Sequence, residues 1–315
     1  MILPADEGTH PFPEGLDLWN ESLFFDWIAR DGSVAGHCRL GMHPTQGHLW
    51  LWFYLLHDGH WLRLEHRDLP LDGRYGLEWS HEQKGLSFRR TVAEALKTNR
   101  LDVEGVGTWV DGPRAGEAVS VAVELTFEAA GPAHGMAERE IEWVDGKTYQ
   151  AARYEQPCDV QGQVAVDGHA ASFEGRGERD HSWGPRMWAM DWTFLVVADD
   201  AWRAQVTEVV LGAMPPIKVG YLQNDTMEPL EEVTFALAYG PEDEIHRPFS
   251  GSVRSSSATH HLAGEIVPIT GVALDDSHCM PEGARSIYRR TLVQLKCADR
   301  PPMWGWMETH RVVEA

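Results

Sequence analysis

Along this chain apolar and polar residues alternate in short runs, and each run stops at a cluster of turn residues. Residues 22–29 end at Arg30-Asp-Gly-Ser, and the alternation resumes over residues 34–40. That pattern predicts a β-hairpin, because Asp-Gly adopts the positive-φ conformation that a tight turn between twisted strands requires. The signal repeats where residues 48–56, almost continuously apolar, run into His57-Asp-Gly and residues 61–65 follow. Further strands are expected over residues 77–80, 86–91, 101–109 and 119–128, at the spacing of sandwiches and barrels. Helical periodicity is nearly absent, and residues 92–97 could supply one helical turn.

The rhythm breaks at Ala129-Ala-Gly-Pro-Ala-His-Gly135, a small-residue stretch that reads as a loop. It resumes over residues 148–156, 159–166, 169–174, 192–198 and 202–211, then over 233–239, 250–255, 264–270, 286–295 and 305–312. Two sets of strands imply an all-β chain of two consecutive antiparallel β-barrels, since closure removes the exposed edges that so many strands would otherwise present. The join falls near residues 129–148, giving an expected division into residues 1–145 and 146–315. At 315 residues the chain is long enough for each domain to bury its own core.

Charge narrows the partners. With 48 acidic against 27 basic residues the formal net charge is -21, and such a surface repels phosphate backbones and anionic headgroups. Nucleic acid and membrane surfaces are therefore not expected partners. No apolar run approaches membrane-spanning length, and the first residues lack the basic-then-apolar order of a secretory signal. Cys38, Cys158, Cys279 and Cys297 form no CxxC pair and read as free thiols, which fits a reduced, cytoplasmic protein compatible with a homodimer. No metal is expected, because neither His260-His261 nor the scattered histidines have His-x-x-x-His spacing. Gly175-x-Gly leads into no helix or Walker lysine, no Gly-x-Ser-x-Gly elbow occurs, and the acidic run 228–232 reads as a solvated loop.

One segment stands apart chemically. From Gly175 to Trp192 the chain holds three arginines, three acids, a histidine and three tryptophans within eighteen residues. Charge and indole share so short a span where a strand lines a partly dry cavity, because unpaired buried charge is costly. The 14 tryptophans of the whole chain exceed what core filling requires and point the same way. In a regular strand residues two apart share a face, which puts Arg179, His181 and Trp183 together and Glu178, Asp180 and Ser182 opposite them. His181 is the candidate acid–base group, and Asp180 can orient it only through a bulge, a turn or a strand end. Trp183, Trp188 and Trp192 can shelter positive charge, with Arg179 and Arg186 as electrostatic support. The competing reading is structural: an ion-pair network of Arg179, Arg186, Glu178 and Asp180, with His181 a satisfied core histidine. Glu308 and Asp191 read as structural or surface acids.

The run from Glu174 to Trp188, with Trp192 and the Asp199-Asp200 turn, resembles the signature of the carotenoid hydratase (hydroxyneurosporene synthase) and AttH-like superfamily. Residues 21–26 (Glu-Ser-Leu-Phe-Phe-Asp) and 304–308 (Trp-Gly-Trp-Met-Glu) resemble that family's two ends, so the likeness spans most of the chain. The resemblance implies two successive lipocalin-like barrels. It also implies a reaction without metal or nucleotide, in which an isolated double bond is protonated and water captures the cation. His181 and Trp183 match the family's histidine and tryptophan. The family's tyrosine and aspartate lie on the following strand, around residues 204–209, where this sequence has no tyrosine and Glu208 is the nearest carboxylate.

The expected function is a cofactor-independent hydratase, isomerase or cyclase, working by proton transfer on an apolar terpenoid, steroid-like or polyketide small molecule. His181, Asp180 and Glu208 are the catalytic candidates; Trp183, Trp188, Trp192, Arg179 and Arg186 are the substrate-binding ones. The alternative is a carrier that holds a hydrophobic ligand and performs no chemistry. An imidazole or carboxyl directed at the ligand separates the two.

Overall fold

The computed structural model describes residues 2–16, 18–142, 147–186, 188–210, 215–239, 245–254, 259–274, 285–297 and 301–313. Cys279 lies outside the described residues. Strands account for nearly all regular structure, with one short 3-10 turn at Pro4–Glu7. Contacts divide the chain into two compact units, Met1–Arg186 and Met187–Ala315.

The strands of the first unit are β1 (Trp19–Ala29), β2 (Val34–His43), β3 (His48–His57), β4 (His60–Pro70), β5 (Arg74–Tyr75) and β6 (Glu78–Gln83). They continue with β7 (Leu86–Glu94), β8 (Thr98–Trp109), β9 (Ala118–Ala129), β10 (His134–Glu142), β11 (Thr148–Val166) and β12 (His169–Pro185). Following the antiparallel pairs β11-β12-β1-β2-β3-β4-β8-β9 leads back to β11, so the sheet closes into a barrel. β10 extends the edge of β11, while β7, β6 and β5 extend that of β8. Asp58 and Gly59 both have positive φ, 50° and 79°, the geometry of a two-residue hairpin turn, whereas at Asp31-Gly32 only Gly32 does, at 72°, in a longer loop between Ala29 and Val34.

Residues paired across a ladder share a face. Leu23 and Phe25 of β1 stand opposite Leu40 and Cys38 of β2, which in turn face Leu51 and Phe53 of β3. On the far wall Leu101 and Val103 of β8 face Leu125 and Val123 of β9. These side chains belong to one buried cluster, the barrel interior. An eight-stranded barrel is just wide enough for side chains to fill. Each fully buried Leu, Val or Phe there contributes on the order of 1.5–3 kcal/mol. β8 and β9 alternate buried with exposed residues, whereas β1, β2 and β3 are buried on nearly every residue.

The second unit holds β13 (Asp191–Ala198), β14 (Arg203–Val210), β15 (Ile217–Gln223), β16 (Met227–Pro229) and β17 (Glu232–Tyr239). β18 (Ile245–Arg254), β19 (Thr259–Leu274), β20 (Arg285–Cys297) and β21 (Met303–Val313) follow. They form one antiparallel sheet in the order β16-β15-β14-β13-β21-β20-β19-β18-β17, and β15 also approaches β17. Its core includes Leu195, Val206, Leu295 and Met307.

Four details differ from the pattern reading. The units divide at Arg186/Met187 rather than 145/146, because β11 and β12 pair with β1 and β9 and so complete the first barrel. The charged, tryptophan-rich strand consequently belongs to the first unit. Residues 148–156 and 159–166 are one strand, β11, whose first half pairs with β10 and second half with β9. Residues 92–97 close the β7–β8 hairpin instead of forming a helical turn, and part of the acidic run 228–232 is strand β16.

Candidate active site

From Glu178 to Trp183, β12 runs in unbroken register with β1 on one edge and β11 on the other. Arg179, His181 and Trp183 therefore share a face with Phe25, Leu23 and Glu21 of β1 and with Gln156, Tyr154 and Ala152 of β11. Leu23 and Phe25 mark that face as the barrel interior. Asp180 points the other way, where its carboxylate is 2.5 Å from Arg153. With no bulge in the strand, Asp180 does not serve as the partner of His181.

That partner is Glu21. Its Oε1 lies 2.9 Å from His181 Nε2, and both side chains are 1% exposed. Glu21 also accepts the ring Nδ1–H of His10 at 2.8 Å and the His10 backbone N–H at 2.9 Å. Burial works to raise the Glu21 pKa, but the bonds from His10 and His181 outweigh it and hold the group below the usual carboxylate range. Burial lowers the His181 pKa, more than the neighbouring Glu21 raises it. An ionised carboxylate only accepts, so His181 is a neutral imidazole protonated on Nε2. Its Nδ1 is buried and has no hydrogen-bond partner among the described residues. The His181 ring sits edge-on to Tyr154 at 5.7 Å and tilted to Trp183 at 5.2 Å, and His10 stacks on Trp183 at 3.7 Å.

A second polar group adjoins this one. Glu7, at the end of the 3-10 turn, is fully buried between two arginines. Its Oε1 accepts from Arg179 at 2.7 Å and from the Leu96 backbone N–H at 2.8 Å. Its Oε2 accepts from Arg90 at 2.7 Å and Arg179 at 3.1 Å. Arg90 also donates to Asn99, and Arg179 to Gln156 and Tyr154. Burial would raise the Glu7 pKa, yet Arg179 and Arg90 hold it below the ordinary range. Gln156 donates to the backbone carbonyls of Leu96 and Gly131, which ties this mouth of the barrel to the β7–β8 turn and the β9–β10 loop.

The remaining sequence candidates lie elsewhere. Arg186 reaches Ser182 at 3.5 Å. In the second unit Trp192 stacks on His310 at 3.8 Å, donates to Glu308 at 2.7 Å, and has Trp188 6.3 Å away. Glu308 also accepts from Arg290 at 2.6 Å. Glu208 on β14, in the second unit, is paired with Lys218 at 2.7 Å. Glu7, His10, Glu21, Arg90 and Tyr154 were not singled out by pattern. Period-two parity could have offered Glu21 and Tyr154 as interior polar residues, but nothing in a non-strand segment points to Glu7 or His10.

Although no metal signature is present in the sequence, the fold brings one ligand atom each of His10, Glu21 and His181 within 4.8 Å of one another. Two imidazoles and a carboxylate suit a divalent transition metal. Coordination through His181 Nε2 would, however, require Nδ1 to carry the proton, and that position has no acceptor. The mutual hydrogen bonds leave a lone pair there instead.

Several solved structures are similar to this chain, and three illustrate the likeness. An AttH-type protein from Nitrosomonas europaea is 13% identical with a TM-score of 0.62, over 98% of this chain and 96% of that one. CghA with Sch210972 is 16% identical, TM-score 0.62, over 98% and 94%. Kievitone hydratase from Nectria haematococca is 10% identical, TM-score 0.50, over 98% and 95%. At such identities the likeness is one of fold, and it extends over both units. No curated protein matches the sequence. A family model described as a domain of unknown function matches residues 3–313, and the chain belongs to that family, DUF7064.

Proposed function

We propose that this chain is a cofactor-independent enzyme that moves a proton on an apolar small molecule, as a hydratase, isomerase or cyclase does. His181 is the acid–base group and Glu21 its positioning residue. One observation carries the reading: a buried neutral imidazole has its Nε2–H held by a carboxylate while its Nδ1 is left without a partner. A base oriented by a third group is the arrangement that proton-transfer sites share. Protonation at Nδ1 gives an imidazolium that Glu21 stabilises from the far side. For hydration, that imidazolium protonates the double bond, water adds to the cation, and the water's surplus proton returns to Nδ1. Tyr154 and Trp183 are aromatic neighbours of His181, and aromatic rings favour developing positive charge. Support also comes from kievitone hydratase, which shares the fold and is a hydratase by name.

The test is exchange in D2O. The full chain is incubated with a panel of terpenoid, steroid-like and polyketide-type olefins, and products are read by mass spectrometry. The wild type is expected to add water or exchange hydrogen for deuterium on one of them, and H181N to lose that activity. A compound bound by both proteins and altered by neither overturns the enzyme in favour of a carrier.

A further inference from the structure

We propose that the Arg90–Arg179 pair is a binding site for the carboxylate of an apolar organic acid, and that Glu7 occupies it as a resident stand-in. The inference rests on the proposed function, since it names the substrate class of the same barrel mouth. Four observations carry it.

The first is charge. Arg90 and Arg179 are 0% and 2% exposed, and among the described residues Glu7 is the ion-pair partner of both. Their other partners, Asn99, Gln156, Tyr154 and the Glu7 backbone carbonyl, are neutral at ordinary pH. Two buried guanidiniums need an anion, and their fork geometry suits a carboxylate.

The second is where that anion comes from. The segment before β1 belongs to no sheet, and its described backbone–backbone bonds over residues 2–16 are local ones, Leu3 to Asp6, Ala5 to Gly8 and Pro13 to Leu16. Barrel side chains hold it, through the Glu7, Thr9 and His10 side chains, at the arginines, Trp79, and Glu21 with Trp183, and through its backbone at the Glu7 carbonyl (Arg90), the His10 N–H (Glu21) and the Leu16 carbonyl (Thr45). A strap attached in this way can be displaced without opening a ladder.

The third is strain. Leu96 has φ 56°, a left-handed conformation unfavourable for a leucine. That conformation goes with a backbone N–H given to the Glu7 carboxylate and a C=O given to Gln156, which in turn bonds Arg179. The fourth is spare capacity. Asn99 Nδ2, on the residue that accepts from Arg90, and His181 Nδ1 are both buried without a hydrogen-bond partner among the described residues, a donor and an acceptor that Glu7 does not satisfy. Leu3 and Phe12 on the strap, Leu18 just before β1, and Leu77 are exposed apolar side chains. This suits a ligand with a polar head inside and an apolar body at the mouth.

The experiment removes the resident carboxylate from the full chain with E7A and adds one back. Acetate is expected to raise the melting temperature of E7A and not of the wild type, while acetamide and chloride at equal concentration leave it unchanged. Decanoate is expected to bind E7A at least about tenfold more tightly than it binds the wild type, where it must first displace Glu7. Decanol is expected to show no such difference. Should E7A not fold alone, refolding yield in acetate against acetamide reads the same question. Folded E7A that ignores carboxylates, or refolding equal in both, overturns the site. Acid binding without turnover would leave the site standing and remove the proposed chemistry; turnover of neutral olefins without acid binding would do the reverse.

Discussion

Replacing Glu21 by glutamine tests the cluster most directly, because the two side chains have the same shape and differ in what they can accept. The carboxylate receives three N–H groups, from His181 Nε2, His10 Nδ1 and the His10 backbone, at 2.8 to 2.9 Å for the closest contacts. A glutamine oxygen can take two of these, and its NH2 then faces the third donor. One charge-assisted bond is lost, worth roughly 1.5–3 kcal/mol, and one buried donor is orphaned at roughly 1–3 kcal/mol. Against this, an uncharged group no longer has to be desolvated at a 1% exposed position. The expected net loss is about 3 kcal/mol, or about 6–12 °C in Tm for a unit of this size. Denaturant unfolding of E21Q, H181N and the double variant gives the coupling energy, expected at about 1–3 kcal/mol. A coupling below about 0.5 kcal/mol would show that the two side chains do not act together. In the exchange assay E21Q should lose roughly 10²–10⁴ in kcat with KM little changed, since Glu21 orients the base and touches no substrate. Loss of binding with kcat intact would refute that role.

Four further outcomes are expected. Below about pH 6.5 the unfolded chain protonates His181 while the native one, with its lowered pKa, resists. Stability should therefore fall as pH drops from that value, and H181N should make this limb shallower, His48, His66 and His134, whose pKa values burial also lowers, supplying the rest; Glu7, Glu21 and Glu308, with lowered pKa values, add a second loss only below about pH 4.3. In the second unit E308Q removes the 2.6 Å ion pair to Arg290, 1% exposed, and should cost about 3–5 kcal/mol, whereas E208Q, in a partly exposed pair, should cost less than about 1 kcal/mol, both read by urea unfolding. Gly36→Ala would set a methyl against the Trp27 indole and 2.7 Å from the Tyr54 carbonyl, so a loss of about 1–3 kcal/mol in the same measurement is expected. Elemental analysis of protein purified without chelator should find less than one equivalent of transition metal; a full equivalent abolished by H10A would replace the acid–base reading by a metal site.

Much of the fold was legible because hairpins are local. The turns at Asp31-Gly32 and Asp58-Gly59 fix β1 to β2 and β3 to β4 through residues adjacent in sequence. The barrel's closing pairs are not local. β12 meets β1 across a separation of 160 residues at Ser22 and Ser182, and no turn chemistry encodes that. The boundary expected at 145/146 followed a change in composition, whereas the real division depends on which strand completes the first barrel. The site followed the same split. Parity alone placed Arg179, His181 and Trp183 on one face. Sequence adjacency points to Asp180 as the partner of His181, but Glu21 lies diagonally across the ladder, opposite Trp183 and two residues from Leu23, which is opposite His181. Diagonal positions are within reach of long side chains.

The ionic mouth is not something the fold demands. The rest of the same interior is filled with apolar side chains, Leu, Val and Phe with Trp, Met, Cys and Ala. Replacing buried ion pairs by apolar side chains of similar volume is often neutral or stabilising, because desolvation consumes the Coulombic gain. Arg90, Arg179, Glu7, Glu21 and His181 are all at most 2% exposed, so each carries that desolvation cost. A strap with little backbone pairing of its own supplies two of the groups that satisfy them, Glu7 and His10. Stability alone would be served more simply by continuing the apolar layers to the rim. Preorganised charges and an unpartnered imidazole nitrogen in a dry environment are what proton transfer requires, because such groups need not reorganise when charge develops. The local departure from good packing chemistry therefore coincides with the place where chemistry is proposed, as expected when a sequence gives up stability for a site.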